Sequence, residues 1–246
     1  LDILGEHTKD RKVSEEITQQ YCAMLNEIAS KKLKCNISVK PTHIGLDINT
    51  NTYDRNLKKL INASLENNVF LRLDMESSNV TNETLNSVYN NFNNNNNIGT
   101  VVQAYLYRSI DDVKNIKEGM NFRICKGIYK EGNKIAIQDR KLINDNFIQI
   151  LKEIFIRNGY AAIATHDITL IEECYKLIDE MQINSGQFEF QTLYGVPMNG
   201  YLEKHIAKGY KVRIYVPFGL DWYKYSIRRL KENPNIIGYV FKNLFK

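Results

Sequence analysis

Apolar and polar positions along the 246 residues alternate between two patterns. Short runs rich in Val, Ile, Leu and Phe are typical of buried strands, and each is followed by a longer stretch with the apolar spacing of an amphipathic helix. The predicted strands are residues 1–4, 36–39, 69–73, 100–105, 121–125, 160–164, 188–190 and 212–216. The predicted helices are residues 14–33, 53–66, 82–92, 110–116, 142–157, 168–181, 198–208 and 222–233. Ser14 is the predicted N-cap of the first helix.

This alternation of strands and helices favours a parallel sheet. Eight strand–helix units in a chain of about 250 residues are typical of a closed barrel. We therefore predict an α/β fold, a (β/α)8 TIM-type barrel that forms a single domain over residues 1–246. An open doubly wound sheet is the alternative, but no GxGxxG pattern follows the first strand. The Asn-rich segment 90–97 is predicted to be a solvated loop.

Composition narrows the class of protein without identifying it. Hydrophobic residues make up 43% of the chain and charged residues 25%, which is an ordinary globular balance. The net charge of +5 is spread along the chain and does not indicate a nucleic-acid partner. Four scattered cysteines form no metal or redox motif and suit a reducing compartment. No apolar run approaches the roughly 20 residues of a membrane span. We expect a cytoplasmic location, and peripheral contact at the inner face of a bacterial membrane stays an open alternative.

Polar, titratable or glycine-containing sequence follows nearly every predicted strand. In a (β/α)8 barrel, catalytic side chains lie at the C-terminal ends of the strands, so these residues predict a ring of functional groups around one mouth. Taken singly, each could equally be a loop charge, a helix-terminal charge or a core residue. The residues concerned are Glu6, Lys40, Asp74, Met75, Glu76, Gln103, Tyr105, Arg123, Lys126, Gly127, Ile128, Tyr129, Thr165, His166, Gln191, Leu193 and Tyr215.

The last predicted helix adds a second candidate feature. Tyr225, Arg228, Arg229 and Glu232 are spaced so that they share one helical face. Two neighbouring arginines can bind a carboxylate through forked hydrogen bonds. The alternative is a solvated face of surface salt bridges. The residues alone thus predict a barrel enzyme that binds a carboxylate, with neither substrate nor cofactor identified.

Seven segments, in this order along the chain, resemble the proline dehydrogenase family: SVKPTHIGL, RLDMES, VVQAYLYR, RICKGIY, ATHD, FEFQTLYGV and RIYVPFGLDWYKYSIRRLKENP. The opening LDILGE resembles the family's first barrel strand. The resemblance implies FAD, bound non-covalently across the barrel mouth, and oxidation of L-proline to Δ1-pyrroline-5-carboxylate, the first step of proline catabolism to glutamate. It implies that hydride moves from proline C5 to flavin N5 and that electrons pass to a quinone. A separate pyrroline-5-carboxylate dehydrogenase is a candidate partner. The family's helices before the first strand are not part of this chain.

The resemblance also implies roles for individual residues. Asp74 and Arg123 would be catalytic, with Asp74 organising Lys40 and nearby charges and Arg123 facing flavin N5. Glu6 would brace a lid over the substrate, and Tyr129 would help to enclose it. The substrate-binding residues would be Lys40, Leu193, Tyr215, Tyr225, Arg228 and Arg229. The cofactor-binding residues would be Met75, Gln103, Arg123, Lys126, Gly127, Ile128, Thr165, His166 and Gln191. No metal site is implied.

Two residues depart from the family pattern beside the implied flavin. Ile128 stands where the family usually has Ala, and Cys125 stands where it has a hydrophobic residue. The loop 130–139 has no clear counterpart, so only Arg140 and Lys141 are candidates for the FAD phosphates. Two other functions stay open. A flavin barrel similar to methylenetetrahydrofolate reductase would lack the paired-arginine clamp, and a non-enzymatic binding or regulatory protein would bind no flavin.

Overall fold

The computed structural model describes residues 1–92, 96–220, 222–223 and 227. Nine parallel strands lie in the order β8-β7-β6-β5-β4-β3-β2-β1-β9 and form a nearly closed barrel with helices between them. The predicted (β/α)8 fold is confirmed. The strands are β1 (Asp2–Ile3), β2 (Ile37–Val39), β3 (Leu71–Leu73), β4 (Ile98–Gln103), β5 (Asn121–Cys125), β6 (Tyr160–Ala164), β7 (Phe188–Leu193), β8 (Val212–Tyr215) and β9 (Pro217–Phe218).

The ring of strands closes through β8 and β9, which are separated only by Val216. The first of them pairs with β7 and the second with β1. The backbone N–H groups of Asp2 and Leu4 donate to the carbonyl oxygens of Val216 (3.1 Å) and Phe218 (2.8 Å). The strand predicted at 212–216 corresponds to β8, whereas the short β9 that pairs with β1 lies beyond it and was not predicted.

Seven α-helices lie in the described part of the chain, close to the predicted positions, together with a short 3-10 helix at Ser78–Val80. The α-helices are α1 (Arg11–Ser30), α2 (Thr50–Asn67), α3 (Thr81–Phe92), α4 (Ser109–Val113), α5 (Arg140–Ile156), α6 (Ile168–Glu180) and α7 (Tyr201–Ala207). The predicted helix 222–233 lies mostly outside the described residues, although 222, 223 and 227 are helical. None of these helices is long and apolar enough to cross a membrane.

Two local predictions were wrong. The N-cap of α1 is Asp10, whose carboxylate accepts a hydrogen bond from the N–H of Val13 (3.1 Å). Ser14 instead lies in the first turn, buried, where its hydroxyl donates to the carbonyl oxygen of Arg11 (2.8 Å). The Asn-rich segment is not one loop, because residues 90–92 belong to α3 and only 96–97 form a turn. Residues 93–95 lie outside the described part.

The helices bury their apolar faces against the outside of the barrel. In α1, for example, Tyr21, Leu25 and Ile28 are buried at the spacing of one helical face. The inside of the barrel differs, since it holds the buried charged side chains of Asp2 and Arg72. Buried charges are costly unless they are paired. Arg72 donates to the carbonyl oxygen of Thr100 within β4 and to the side chain of Asn121 at the start of β5. The partners of Asp2 lie instead at the C-terminal ends of β2 and β8, where the candidate site lies.

Candidate active site

A chain of charged and hydroxyl side chains runs across the inside of the barrel. The ammonium group of Lys40, just after β2, donates to Asp2 Oδ2 at 2.7 Å. The hydroxyl of Tyr215, at the end of β8, lies 2.6 Å from the same oxygen and 3.2 Å from Asp74 Oδ2. Arg123 Nη1, from β5, donates to Asp74 Oδ1 at 2.7 Å. Two cations at the ends and two carboxylates between them therefore form one neutral network.

The charges in this network are set by burial and by mutual contact. Burial on its own would lower the pKa of Lys40, but the carboxylates of Asp2 and Asp74 outweigh it and raise that pKa above its ordinary value. Burial also raises the pKa of Asp2, although the nearby ammonium group opposes this. Burial and the two carboxylates raise the pKa of Tyr215 well above its ordinary value. Lys40 is thus a cation and Tyr215 a hydrogen-bond donor at neutral pH.

Arg123 is held by three partners, two of which belong to β2 and β7 while the third directly follows β3. Besides Asp74, its guanidinium donates to Gln191 Oε1 at 2.7 Å and to the hydroxyl of Ser38 at 2.9 Å. It also lies over the ring of Tyr215, with 5.0 Å from its central carbon to the ring centroid. Its side chain is only 12% exposed. The result is a fixed, nearly buried positive charge that needs no rearrangement to face an anionic group.

Next to this network, hydrogen bonds connect the residues that follow β2 and β3 with the C-terminal end of β4. Glu76 accepts hydrogen bonds from both the N–H (2.9 Å) and the hydroxyl (2.6 Å) of Thr42. Burial raises the pKa of Glu76 to about 7, against the opposing effect of the Thr42 hydrogen bonds. The side-chain amide of Gln103 donates to the carbonyl oxygen of Glu76 at 2.9 Å. Met75, which precedes Glu76 in the sequence, is buried.

The exits of β5 and β6 form a second group. The ammonium group of Lys126 pairs with Asp167 at 2.5 Å, and Asp167 is also the N-cap of α6. The hydroxyl of Thr165 accepts from the N–H of Asp167 at 3.1 Å. Nε2 of His166 accepts from the N–H of Leu193 at 3.0 Å, which places the ring proton on Nδ1. These contacts hold three polar side chains at one side of the mouth.

The turn after β5 requires glycine. Gly127 has φ of +111°, and a Cβ there would lie 2.1 Å from Cδ1 of the Tyr105 ring. The next residue, Ile128, is 55% exposed although it is apolar. Tyr129 then reaches across the mouth, where its hydroxyl lies 3.5 Å from Glu6 Oε2. The turn therefore presents an apolar side chain and a phenol beside the polar groups of the mouth.

The structure brings together most of the residues selected from the sequence, but with different partners. Lys40, Arg123, Gln191 and Tyr215 belong to the network, and Asp74 contacts Arg123 and Tyr215 directly. The carboxylate in contact with Lys40 is Asp2, which sequence reasoning missed together with Ser38. A single Asp inside the apolar run LDIL was the available signal. Tyr225, Arg228 and Arg229 lie outside the described residues.

Comparisons with known proteins cover the whole chain. The family model described as proline dehydrogenase matches residues 1–240. Proline dehydrogenase 1 of Bacillus subtilis (strain 168) is 34% identical over 249 residues, which span 100% of this chain and 82% of the relative. Proline dehydrogenase of Deinococcus radiodurans is 30% identical over 254 residues, which span 100% of this chain and 81% of the relative.

Solved structures share the barrel. Proline utilization A (PutA) from Bdellovibrio bacteriovorus, inactivated by N-propargylglycine, matches with a TM-score of 0.85 and 24% identity over 94% of this chain and 29% of that one. A mutant of PutA from Bradyrhizobium japonicum matches with a TM-score of 0.76 and 20% identity over 95% of this chain and 28% of that one. At such identities the likeness concerns the fold.

Proposed function

Because the chain belongs to the proline dehydrogenase family, we propose that it oxidises L-proline to Δ1-pyrroline-5-carboxylate. The observation that carries this proposal is the network at the barrel mouth, which presents Lys40 and Arg123 as two nearly buried cations. One cation suits the carboxylate of an amino acid, and the other suits a group that becomes negative during the reaction. We assign this function to a catalytic barrel that spans residues 1–246.

The donor set at the mouth fits FAD as the cofactor. Arg123 is a pre-organised cation, the exposed Ile128 offers apolar contact to a ring system, and Lys126 offers a charge for a phosphate. FAD bound there would supply the oxidising chemistry, accepting at N5 the hydride that leaves proline C5. The residues that would hold it are Met75, Gln103, Arg123, Lys126, Gly127, Ile128, Thr165, His166 and Gln191.

The substrate groups work mainly by placement, because hydride transfer depends on close approach of donor and acceptor. Lys40 would attract the proline carboxylate and limit how the ring can lie. Tyr215 and the partly exposed Leu193 would enclose the apolar ring and exclude water. Asp74 would act by holding Arg123 and Tyr215 in place. Arg228, Arg229 and Tyr225, outside the described residues, would complete the carboxylate clamp and the wall.

The electron acceptor and the partners that we propose are those implied by the resemblance to the family. We assign the acceptor to the quinone class, which implies peripheral contact with the inner face of a bacterial membrane. The imine product retains its carboxylate, and the enzyme that consumes it would be a pyrroline-5-carboxylate dehydrogenase.

The absorption spectrum of the purified holoprotein tests the proposal. We expect flavin bands that disappear on addition of L-proline under anaerobic conditions, because the reaction reduces the cofactor. A Lys40→Met variant should show a KM for proline raised by about tenfold or more, since a charged contact to the carboxylate is lost. Glu153→Gln, which removes a carboxylate from a surface pair on α5, is the matched control.

Two outcomes would contradict the proposal. Reduction by NADH but not by proline would favour a barrel similar to methylenetetrahydrofolate reductase. A colourless protein that takes up no added FAD would favour a binding or regulatory function.

A further inference from the structure

Asp2, at the start of β1, contacts two of the proposed substrate-binding side chains. We propose that Asp2 is a positioning residue of the site, whose carboxylate holds the ammonium group of Lys40 and the hydroxyl of Tyr215 where they meet the substrate. This inference rests on the proposed function. In this role Asp2 does not contact the substrate itself but acts through Lys40 and Tyr215, which do.

The strand register explains why Asp2 reaches both side chains. Asp2 pairs with Ser38 of β2 on one side and with Pro217 of β9 on the other. Lys40 lies two residues after Ser38, and Tyr215 lies two residues before Pro217. Side chains two positions apart on a strand point to the same face, so all of them face the inside of the barrel. Asp2 thus lies between the two, at the seam where the barrel closes.

The contacts concentrate on one carboxylate oxygen. Oδ2 of Asp2 accepts from Lys40 at 2.7 Å and from Tyr215 at 2.6 Å. The other oxygen has a longer contact of 3.3 Å to the hydroxyl of Tyr21 from α1. The residue is 1% exposed, and a carboxylate so deeply buried is costly unless its pairing is good. A role in barrel closure alone would not need an ionised side chain, since the backbone makes that closure.

Lys40 needs such a restraint more than an arginine would. Its charge is a single point at the end of a flexible four-carbon stem, and that stem can adopt many rotamers. The charged and titratable groups that face it are Asp2 from β1, Asp74 and Glu76 after β3, and, beyond them, Tyr215 and Arg123. Among these, Asp2 makes the direct contact to its ammonium group. Without that contact, only the more distant carboxylates of Asp74 and Glu76 would oppose the lowering of the Lys40 pKa by burial.

The test is the isosteric variant Asp2→Asn, which keeps an acceptor oxygen and removes the charge. Two quantities are measured from about pH 6 to about pH 10: kcat and KM for proline, and the calorimetric Kd for tetrahydro-2-furoate, a non-oxidisable ring carboxylate. We expect KM and Kd to rise by about tenfold toward the alkaline end, where Lys40 loses its proton in the variant but not in the wild type. The kcat at saturating proline should change much less.

Tyr21→Phe is the matched control. It removes the weaker contact to Asp2 and the contacts of the Tyr21 hydroxyl to the backbone of Ile3, but it leaves the Lys40 pair. The rise of KM and Kd at alkaline pH should therefore be no larger in this variant than in the wild type. Identical pH profiles for Asp2→Asn and the wild type would overturn the inference. A loss in kcat alone, with unchanged KM and Kd at every pH, would also overturn it.

A second variant covers the case in which Asp2→Asn does not fold. Asp2→Glu keeps the negative charge but displaces it by one methylene, so we expect a raised KM with a preserved pH profile. An unchanged KM would contradict a positioning role. If instead the wild type is neither reduced by proline nor binds tetrahydro-2-furoate, the proposed function itself fails. If the wild type does both and Asp2→Asn matches it, only the inference about Asp2 fails.

Discussion

Glu76 is a buried carboxylate that ties the exit of β3 to the loop after β2. It has no exposed surface, and both of its oxygens accept hydrogen bonds from Thr42. Burial nevertheless dominates and raises its pKa to about 7. A carboxylate with such a pKa changes charge near neutral pH, in contrast to an ordinary surface glutamate.

The free energy of unfolding should therefore fall as the pH rises through the titration of Glu76. The folded-state pKa lies above the ordinary value of 4.5, so the folded state binds this proton more tightly than the unfolded state does. The contribution is complete below about pH 4.5 and is lost as the pH rises through about 7, a change of about 3 kcal/mol. Denaturant unfolding at several pH values measures it.

Glu76→Gln should remove this dependence, and Glu83→Gln, which alters an exposed carboxylate at the start of α3, should not. The comparison of the two variants separates Glu76 from other groups that titrate in the same range, such as His7, whose pKa is raised mainly by its hydrogen bond to Asp47. Parallel stability curves for the wild type and Glu76→Gln would contradict the assignment.

Gly127 allows a second prediction for a single residue. Gly127→Ala should destabilise the protein by about 2 to 4 kcal/mol, because the added Cβ meets the Tyr105 ring and the backbone has positive φ. Gly132→Ala is the matched control, since a Cβ added at Gly132 would have no neighbouring atom within 4 Å and the φ of this residue is not positive. Thermal unfolding compares the two, and equal melting temperatures would show that the turn adapts. FAD content should fall only in Gly127→Ala.

At the scale of the element, three helices begin at an aspartate that caps them. The side chains of Asp10, Asp139 and Asp167 accept hydrogen bonds from the first turns of α1, α5 and α6. An N-cap satisfies N–H groups that have no partner within the helix. The same residue type recurs at the starts of these three helices, which lie beside different strands. In these helices the capping aspartate, more than the apolar pattern, determines the first residue of the helix.

Asp10→Ala should lower the free energy of unfolding by about 1 kcal/mol, because the N–H of Val13 loses its acceptor. Asp10→Asn should retain most of the stability, since an amide oxygen also caps well. Urea denaturation of the two variants measures the difference. A cost for Asn as large as that for Ala would mean that charge at the helix terminus, not the hydrogen bond, stabilises α1.

The helices and strands also show which element boundaries the sequence pattern could predict. The periodicity of apolar residues predicted the helices, because a long amphipathic helix such as α1 repeats its apolar spacing over many residues. It misplaced the start of α1, since Ser14 and Asp10 are both good capping residues and only the local geometry selects one. It did not predict β9, because a two-residue strand such as Pro217–Phe218 has no period and is defined by its partner β1.

At the scale of the whole molecule, closure of the barrel depends on a few backbone hydrogen bonds between β1 and β9. Leu4→Pro removes the N–H that donates to Phe218 at 2.8 Å. We expect it to cost about 2 kcal/mol more than Leu4→Ala, which loses the same buried side chain but keeps the donor. Hydrogen exchange at the Asp2 amide should accelerate, whereas amides in β5 should stay protected. Equal stability of the two variants would show that the seam contributes little.

The candidate site was predictable only in part, for a reason that belongs to the whole fold. The rule that functional groups follow the strands in a barrel located Lys40, Asp74 and Tyr215 without knowledge of their contacts. The partners were not predictable, because Asp2 meets Tyr215 only when the ends of the barrel come together. No local pattern in LDIL reports on a residue more than two hundred positions away.

This separation has a consequence for how the protein is made. Asp2 and Tyr215 stand 213 positions apart, so on the ribosome the first partner emerges long before the second exists. Contacts of such high sequence separation form late and slowly, since the entropy of closing a long loop must be overcome first. Until then Asp2 and Lys40 remain hydrated ions on an open sheet. Maturation of the catalytic mouth should therefore coincide with the final step of folding, and a nascent chain arrested before Tyr215 should bind no FAD.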